Sequence, residues 1–112
     1  MPGYYEIISA AGSQFRFNLK ADNHLVILTS ESYSSKQSAQ AGIESVRKNS
    51  ADDARYQRKT AKDNSPYFVL VAANGEVIGQ SQMYSSTSTM ESGIASVKAN
   101  APSATVKDSS ST

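Results

Sequence analysis

Residues 17–30, Phe17-Asn18-Leu19-Lys20-Ala21-Asp22-Asn23-His24-Leu25-Val26-Ile27-Leu28-Thr29-Ser30, return 51 positions later as Phe68-Val69-Leu70-Val71-Ala72-Ala73-Asn74-Gly75-Glu76-Val77-Ile78-Gly79-Gln80-Ser81. Extending the match outward lays residues 4–49 over 55–100 without a gap, with seventeen identities in forty-six positions from Tyr5/Tyr56 to Asn49/Asn100. Chance would supply only a few, so the chain is a duplication. Two copies are too few for a solenoid, which needs about three to bury its faces. They fit two half-domains sharing one core, the fused equivalent of a homodimer.

Each copy reads as three strands and a helix. Tyr4–Ser9 is aromatic and β-branched and stops near Gly12, and Phe15–Ala21 alternates, placing Phe15, Phe17, Leu19 and Ala21 on one face. Leu25–Ser30 follows a turn at Asp22-Asn23-His24. Its second-copy equivalent, Ala73-Asn74-Gly75, predicts a type I′ hairpin, because Asn and Gly tolerate positive φ. Ser34 and Ser35 both offer an N-cap oxygen, and Gln37 stands three residues after Ser34 as in a capping box. Ala39, Ile43 and Val46, like Met90, Ile94 and Val97, fall at i, i+4 and i+7 and make one apolar stripe per helix. Asn49 and Asn100 close the helices, and Pro102 stops the second. Gly42 and Gly93 cost each helix about 1 kcal/mol relative to alanine, so both predict a close approach to the bare backbone.

After each helix comes an extended segment, Arg55–Thr60 and Ala104–Lys107, and the first of these also opens the second copy. The fold expected is a single α+β domain over residues 1–112, ordered βββαβββαβ. One mainly antiparallel sheet carries both helices on one face. The repeats span 4–50 and 55–101, a last strand lies near 104–108, and residues 109–112 form a disordered tail.

The string Phe17-x-Leu19-Lys20-Ala21-x-Asn23, then Ser30-Glu31-x-Tyr33-x-Ser35-Lys36, then Gly42-Ile43-x-Ser45-Val46-Arg47-Lys48-Asn49, resembles the YegP-like family of small bacterial proteins of unknown function. The second copy carries it again from Tyr67 to Lys98, with mild departures at Gln82 and Thr87 and, in the first copy, at His24. The resemblance implies a single sheet in which the strand after each helix is exchanged into the partner motif. It implies no activity, substrate or catalytic residue.

Composition narrows the chemistry. Eleven basic and ten acidic residues among 112 leave a net charge of +1, which gives no general drive toward nucleic acid or anionic membrane. The absence of cysteine excludes disulfides, zinc–thiolate sites and thiol catalysis, and fits a reducing, cytoplasmic compartment. The longest aliphatic run, Leu25–Leu28, is far short of the roughly 20 residues a bilayer requires. The start, Met1-Pro2-Gly3-Tyr4, has no secretory character. The lone His24 has no ligand partner and suits a left-handed turn position, and no cofactor or metal is expected.

Three surfaces are candidates for binding, none for catalysis. First, Tyr67, Val69 and Val71 alternate with core residues, so they are either covered or form an apolar patch that meets a protein or peptide. Second, Arg47, Lys48, Arg55, Arg58, Lys59 and Lys62 stand against only Asp52 and Asp53 and interleave with Tyr56. Adjacent strand residues face opposite ways, however, and charges guard sheet edges, so nucleic acid is the disfavoured alternative. Third, Ser30 with Tyr33, and Ser81 with Tyr84, sit between strand ends and helix starts where a small ligand or anion could bind. Serines that cap and tyrosines that pack are the plainer account. A non-catalytic, monomeric interaction module of unknown partner is therefore the leading functional expectation, ahead of the nucleic-acid and small-ligand readings.

Overall fold

The computed structural model describes residues 3–21 and 23–109. The chain runs β1 (Tyr4–Ala10), β2 (Gln14–Lys20), β3 (Val26–Ser30), α1 (Lys36–Asn49), a 3-10 turn at Asp53–Arg55, β4 (Tyr56–Thr60), β5 (Pro66–Val71), β6 (Val77–Gln80), α2 (Thr87–Asn100) and β7 (Thr105–Asp108). All seven strands join one sheet in the order β4-β5-β6-β3-β2-β1-β7. Neighbours are antiparallel except β1 and β7, which are parallel. No helix of the described residues is long and apolar enough to cross a membrane.

Alternation along the strands builds the core. Tyr5 and Ile7 of β1, Phe17 and Leu19 of β2, and Phe68 and Leu70 of β5 are fully buried against the helix stripes, Ala39, Ile43 and Val46 of α1 and Met90, Ile94 and Val97 of α2. Each large side chain so buried contributes about 1.5–3 kcal/mol. Register shifts between Leu19 and Lys20 against β3, and between Leu70 and Val71 against β6, break the alternation at the same place in both copies. That bulge lets the consecutive residues Ile27 and Leu28 both enter the core.

Thr29 pairs with Gln80, its own equivalent 51 positions on, so the pseudo-twofold axis passes between β3 and β6 at this pair. Beside the axis the symmetry is broken by size. A Cβ on Gly79 would lie 2.9 Å from the Thr29 carbonyl oxygen and 3.0 Å from Leu28 Cγ. One leucine fills space that two would overfill, which is why Leu28 faces a glycine and not its copy.

The post-helix strands are exchanged. The Tyr56 hydroxyl, on the strand that opens the second copy, donates to the Ser50 carbonyl at the end of α1, 2.7 Å, and Tyr5 of the first copy donates to Ala101 at the end of α2, 2.8 Å. Burial raises both phenol pKa values well above the usual tyrosine range. Arg47 lies over the Tyr5 ring at 5.1 Å and Lys98 over Tyr56 at 5.5 Å, so each anchor repeats with its cation.

Three local expectations are corrected. A type I′ turn needs both Asn23 and His24, or Asn74 and Gly75, in the left-handed region, but His24 (φ 68°) and Gly75 (φ 87°) are there and the two asparagines are not. The amides of Leu25 and Glu76 instead donate to the Asn23 and Asn74 side-chain carbonyls, an Asx-type closure. The first helix is capped by Ser35, which accepts from the Ser38 amide, so Gln37 closes no capping box. The second helix has one, Ser86 with Thr89. Ser109 belongs to no loose tail, since its amide donates to the Ile7 carbonyl, 2.9 Å, and its hydroxyl to Glu6, 2.7 Å. The rest of the expected tail, residues 110–112, lies outside the described residues.

Candidate functional site

Ser30 ends β3 and Ser81 directly follows β6, and neither caps a helix. Ser30 Oγ accepts from the Phe17 amide, 2.9 Å, and donates to the Glu31 carbonyl, 2.7 Å. Ser81 repeats this with Phe68 and Gln82 at 3.0 and 2.8 Å. Each serine completes the sheet ladder where its strand peels away toward a helix, its hydroxyl both accepting and donating within the fold. Tyr33 and Tyr84 follow three residues after Ser30 and Ser81. Their rings stack on Phe17 and Phe68 with centroids 6.1 and 6.3 Å apart. Each ring lies on a helix glycine: a Cβ on Gly42 would come 2.7 Å from Tyr33 Cζ, and one on Gly93 2.6 Å from Tyr84 Cζ. This is the close approach that the duplicated glycines predict, made by a ring and not by another backbone.

The corners nevertheless frame a cleft. On the helix-free side of the axis pair Thr29 and Gln80, a polar cavity of about 420 Å³ is lined by Arg16, Glu31, Ser32 and Gln82. Arg16 Nη2 donates to Ser32 Oγ, 3.1 Å, while Arg16 Nε is buried and without a partner. Ser30 and Ser81 are expected here from the sequence, whereas Arg16 shows in the sequence only as one of two cations on the polar side of β2.

Val69 and Val71 are 4% and 6% exposed, so they do not form the apolar patch. In register Val69 stands beside Gln57 and Gln80, and Val71 beside Val77. The basic segment is dispersed by ion pairing. Arg58 grips Glu91 of α2 at 2.6 Å and Asp53 at 3.1 Å, Arg55 meets Asp52 at 3.6 Å, and Arg47 meets Glu44 at 3.1 Å. Hydrogen bonds from Lys98 and Arg58 hold the Asp53 carboxyl below the usual carboxylate range. Lys59 and Lys62 make no ion pair among the described residues. His24 faces Tyr4, 3.2 Å from its hydroxyl, and no group of three or more His, Cys, Asp or Glu residues that could hold a metal occurs among the described residues.

The two ends of the sheet differ. Phe17 and Phe68 turn their amides toward Ser30 and Ser81, away from β1 and β4, so their register partners Ile7 and Arg58 direct their own backbone groups outward. Beyond Ile7 lies β7, and beyond Arg58 lies no strand of the described residues.

Known proteins share this plan. A family model described as a domain of unknown function (DUF1508) matches residues 10–57 and again 61–108. A UPF0339 protein of Bordetella pertussis is 61% identical over 108 residues, covering 96% of each chain. The UPF0339 protein YegP of Escherichia coli K12 is 55% identical over 108 residues, covering 96% of this chain and 98% of its own. The solution NMR structure of E. coli yegP, a protein of unknown function, superposes with a TM-score of 0.94 at 53% identity, over 100% of this chain and 97% of that one. A UPF0339 protein from Shewanella oneidensis, also solved by NMR, gives 0.92 at 51% identity, over 98% and 93%.

Proposed function

Since the chain belongs to the DUF1508 (UPF0339) family, whose defining domain is of unknown function, we propose a role from its own geometry: a non-catalytic module that receives an extended acidic segment of another protein along β4. The observation that carries this reading is the unequal covering of equivalent edges. On β1, β7 adds in parallel with Tyr4 opposite Thr105 and Ile7 opposite Asp108. The equivalent edge of β4 turns backbone groups outward at Arg58 and Thr60, while the Tyr56 amide is taken by the Asp53 carbonyl, and no strand of the described residues covers it. Strand addition to such an edge takes affinity from main-chain hydrogen bonds and selectivity from flanking side chains. Here those are Lys59 and Lys62, cations without acidic partners among the described residues. They repel a second copy's β4 edge and favour an acidic strand. The reading places the protein in the cytoplasm, on its cysteine-free composition, as a monomer whose two halves are already joined.

Amide hydrogen exchange tests it. In the free monomer Arg58 exchanges fast while Ile7, under β7, exchanges slowly. Acidic extended peptides that bind should slow exchange at Arg58 and Thr60. If the Arg58 amide is as protected as Ile7 before any peptide is added, or if bound peptides leave it unchanged, the edge is not the receiving surface.

A further inference from the structure

We infer that the cleft on the pseudo-twofold axis binds one small zwitterion of the amino-acid class, its carboxylate held by Arg16 and its ammonium by Glu31. Both charges line the same cavity, yet they are not paired with each other or with any other charged group among the described residues. The Arg16 guanidinium is anchored on one side only, by Ser32, and its buried Nε has no acceptor. A carboxylate matches the planar guanidinium fork and takes the terminal N–H groups that Ser32 leaves free. The Glu31 carboxylate is exposed at the corner after β3, a natural seat for a cationic group at the other end of the same molecule. Between them Thr29, Gln80 and Gln82 supply neutral polar contacts. About 420 Å³ is at the small end of ligand sites.

The duplication supplies an independent argument. Ser30 and Val26 are kept in the second copy as Ser81 and Val77, whereas Arg16 becomes Tyr67, Glu31 becomes Gln82, Thr29 becomes Gln80 and Ser32 becomes Met83. In a true homodimer a cavity on the axis would present two arginines and two glutamates, in a symmetric ring. Joining the halves leaves one cation and one anion facing one space, which suits one ligand with a defined head and tail.

The test is a titration of isotope-labelled full-length protein, followed by amide NMR, with single α-amino acids and with the matched simple carboxylate and simple amine of each. The expected result is shifts confined to Glu31, Ser32 and residues 80–82 for at least one amino acid. Each half-ligand should then bind at least about tenfold more weakly, a 1.4 kcal/mol difference. Arg16→Gln and Glu31→Gln should each weaken binding by a similar factor while amides elsewhere keep their positions. Should Arg16→Gln perturb the fold, Glu31→Gln alone decides, because Glu31 is exposed. No response to any amino acid overturns the inference. So does a carboxylate that binds as well as its amino acid, since that makes Arg16 a plain anion site. Unchanged binding in Glu31→Gln overturns it equally.

Discussion

Alanine at Gly42 should destabilise the protein even though helix propensity favours it. In an open helix the substitution gains about 1 kcal/mol. Here the new Cβ would sit 2.7 Å from Tyr33 Cζ and 3.0 Å from Phe17 Cε2, well inside the 3.5–4.0 Å of ordinary carbon contacts. Tyr33 cannot retreat freely, because its backbone is bridged to Phe15 by hydrogen bonds of 2.6 and 2.7 Å and its ring stacks on Phe17. Overpacking of this kind costs about 1–3 kcal/mol, so after the propensity gain the net loss should be about 1 kcal/mol. The decisive arm is the background. With Tyr33→Ala already in place the obstructing ring is gone, and Gly42→Ala should become neutral or stabilising by up to about 1 kcal/mol. That sign reversal is a coupling of roughly 1–2 kcal/mol in a double-mutant cycle. Urea unfolding at constant slope measures all four variants. Gly93 with Tyr84 should repeat the result, since the corresponding contacts are 2.6 Å to Tyr84 Cζ and 3.3 Å to Phe68 Cε2. If Gly42→Ala stabilises the wild-type background, or the coupling stays below about 0.5 kcal/mol, the ring does not explain the glycine.

Tyr56→Phe and Tyr5→Phe each remove a hydrogen bond to a helix-end carbonyl while keeping the packed ring, and each should cost about 1 kcal/mol in urea unfolding. Losses of only a few tenths would mean that the exchanged strands are held by apolar burial alone. Asp53, held below its ordinary pKa by Lys98 and Arg58, should contribute stability above the unfolded value of about 3.9 and lose it as pH falls through the lower folded value. The advantage of wild type over Asp53→Asn should therefore shrink with acid below about pH 4 and be gone below both values. An advantage that stays constant across that range would show that the exposed Asp53–Lys98–Arg58 cluster adds nothing through charge.

Much of the architecture was legible because it is written in short-range pattern. The 51-residue repeat, the stripes Ala39-Ile43-Val46 and Met90-Ile94-Val97, and the glycine inside each helix all correspond to what the structure contains. The errors came where short range leaves a choice. An Asn-Gly pair admits more than one loop, and the structure takes one left-handed residue where two were expected. A serine at a corner suits both capping and ligand binding, and the sequence of Ser30 and Ser81 allows either. Their ladder role depends on Phe17 and Phe68, each 13 residues away. Arg16 gave no sign of its cleft because the residues across from it, Ser32 and Gln82, come to it through the fold of both copies.

The sequence by itself determined that two near-copies must share one interior, because each carries strands and a helix with a single apolar side and neither can cover it alone. Only the tertiary structure decided which equivalent places end up different. Ile7 is covered by β7 and Arg58 by no described strand; Leu28 faces Gly79 and not another leucine; Val69 is buried; one arginine and one glutamate line the cleft on the axis. The reason is physical. Periodicity and propensity act over a few residues and are duplicated with the sequence, whereas covering and pairing join groups as far apart as Gly3 and Asn100, whose contact lies 97 residues across the chain. Such contacts depend on which of the differing side chains the folded chain brings together, and short-range pattern does not show that.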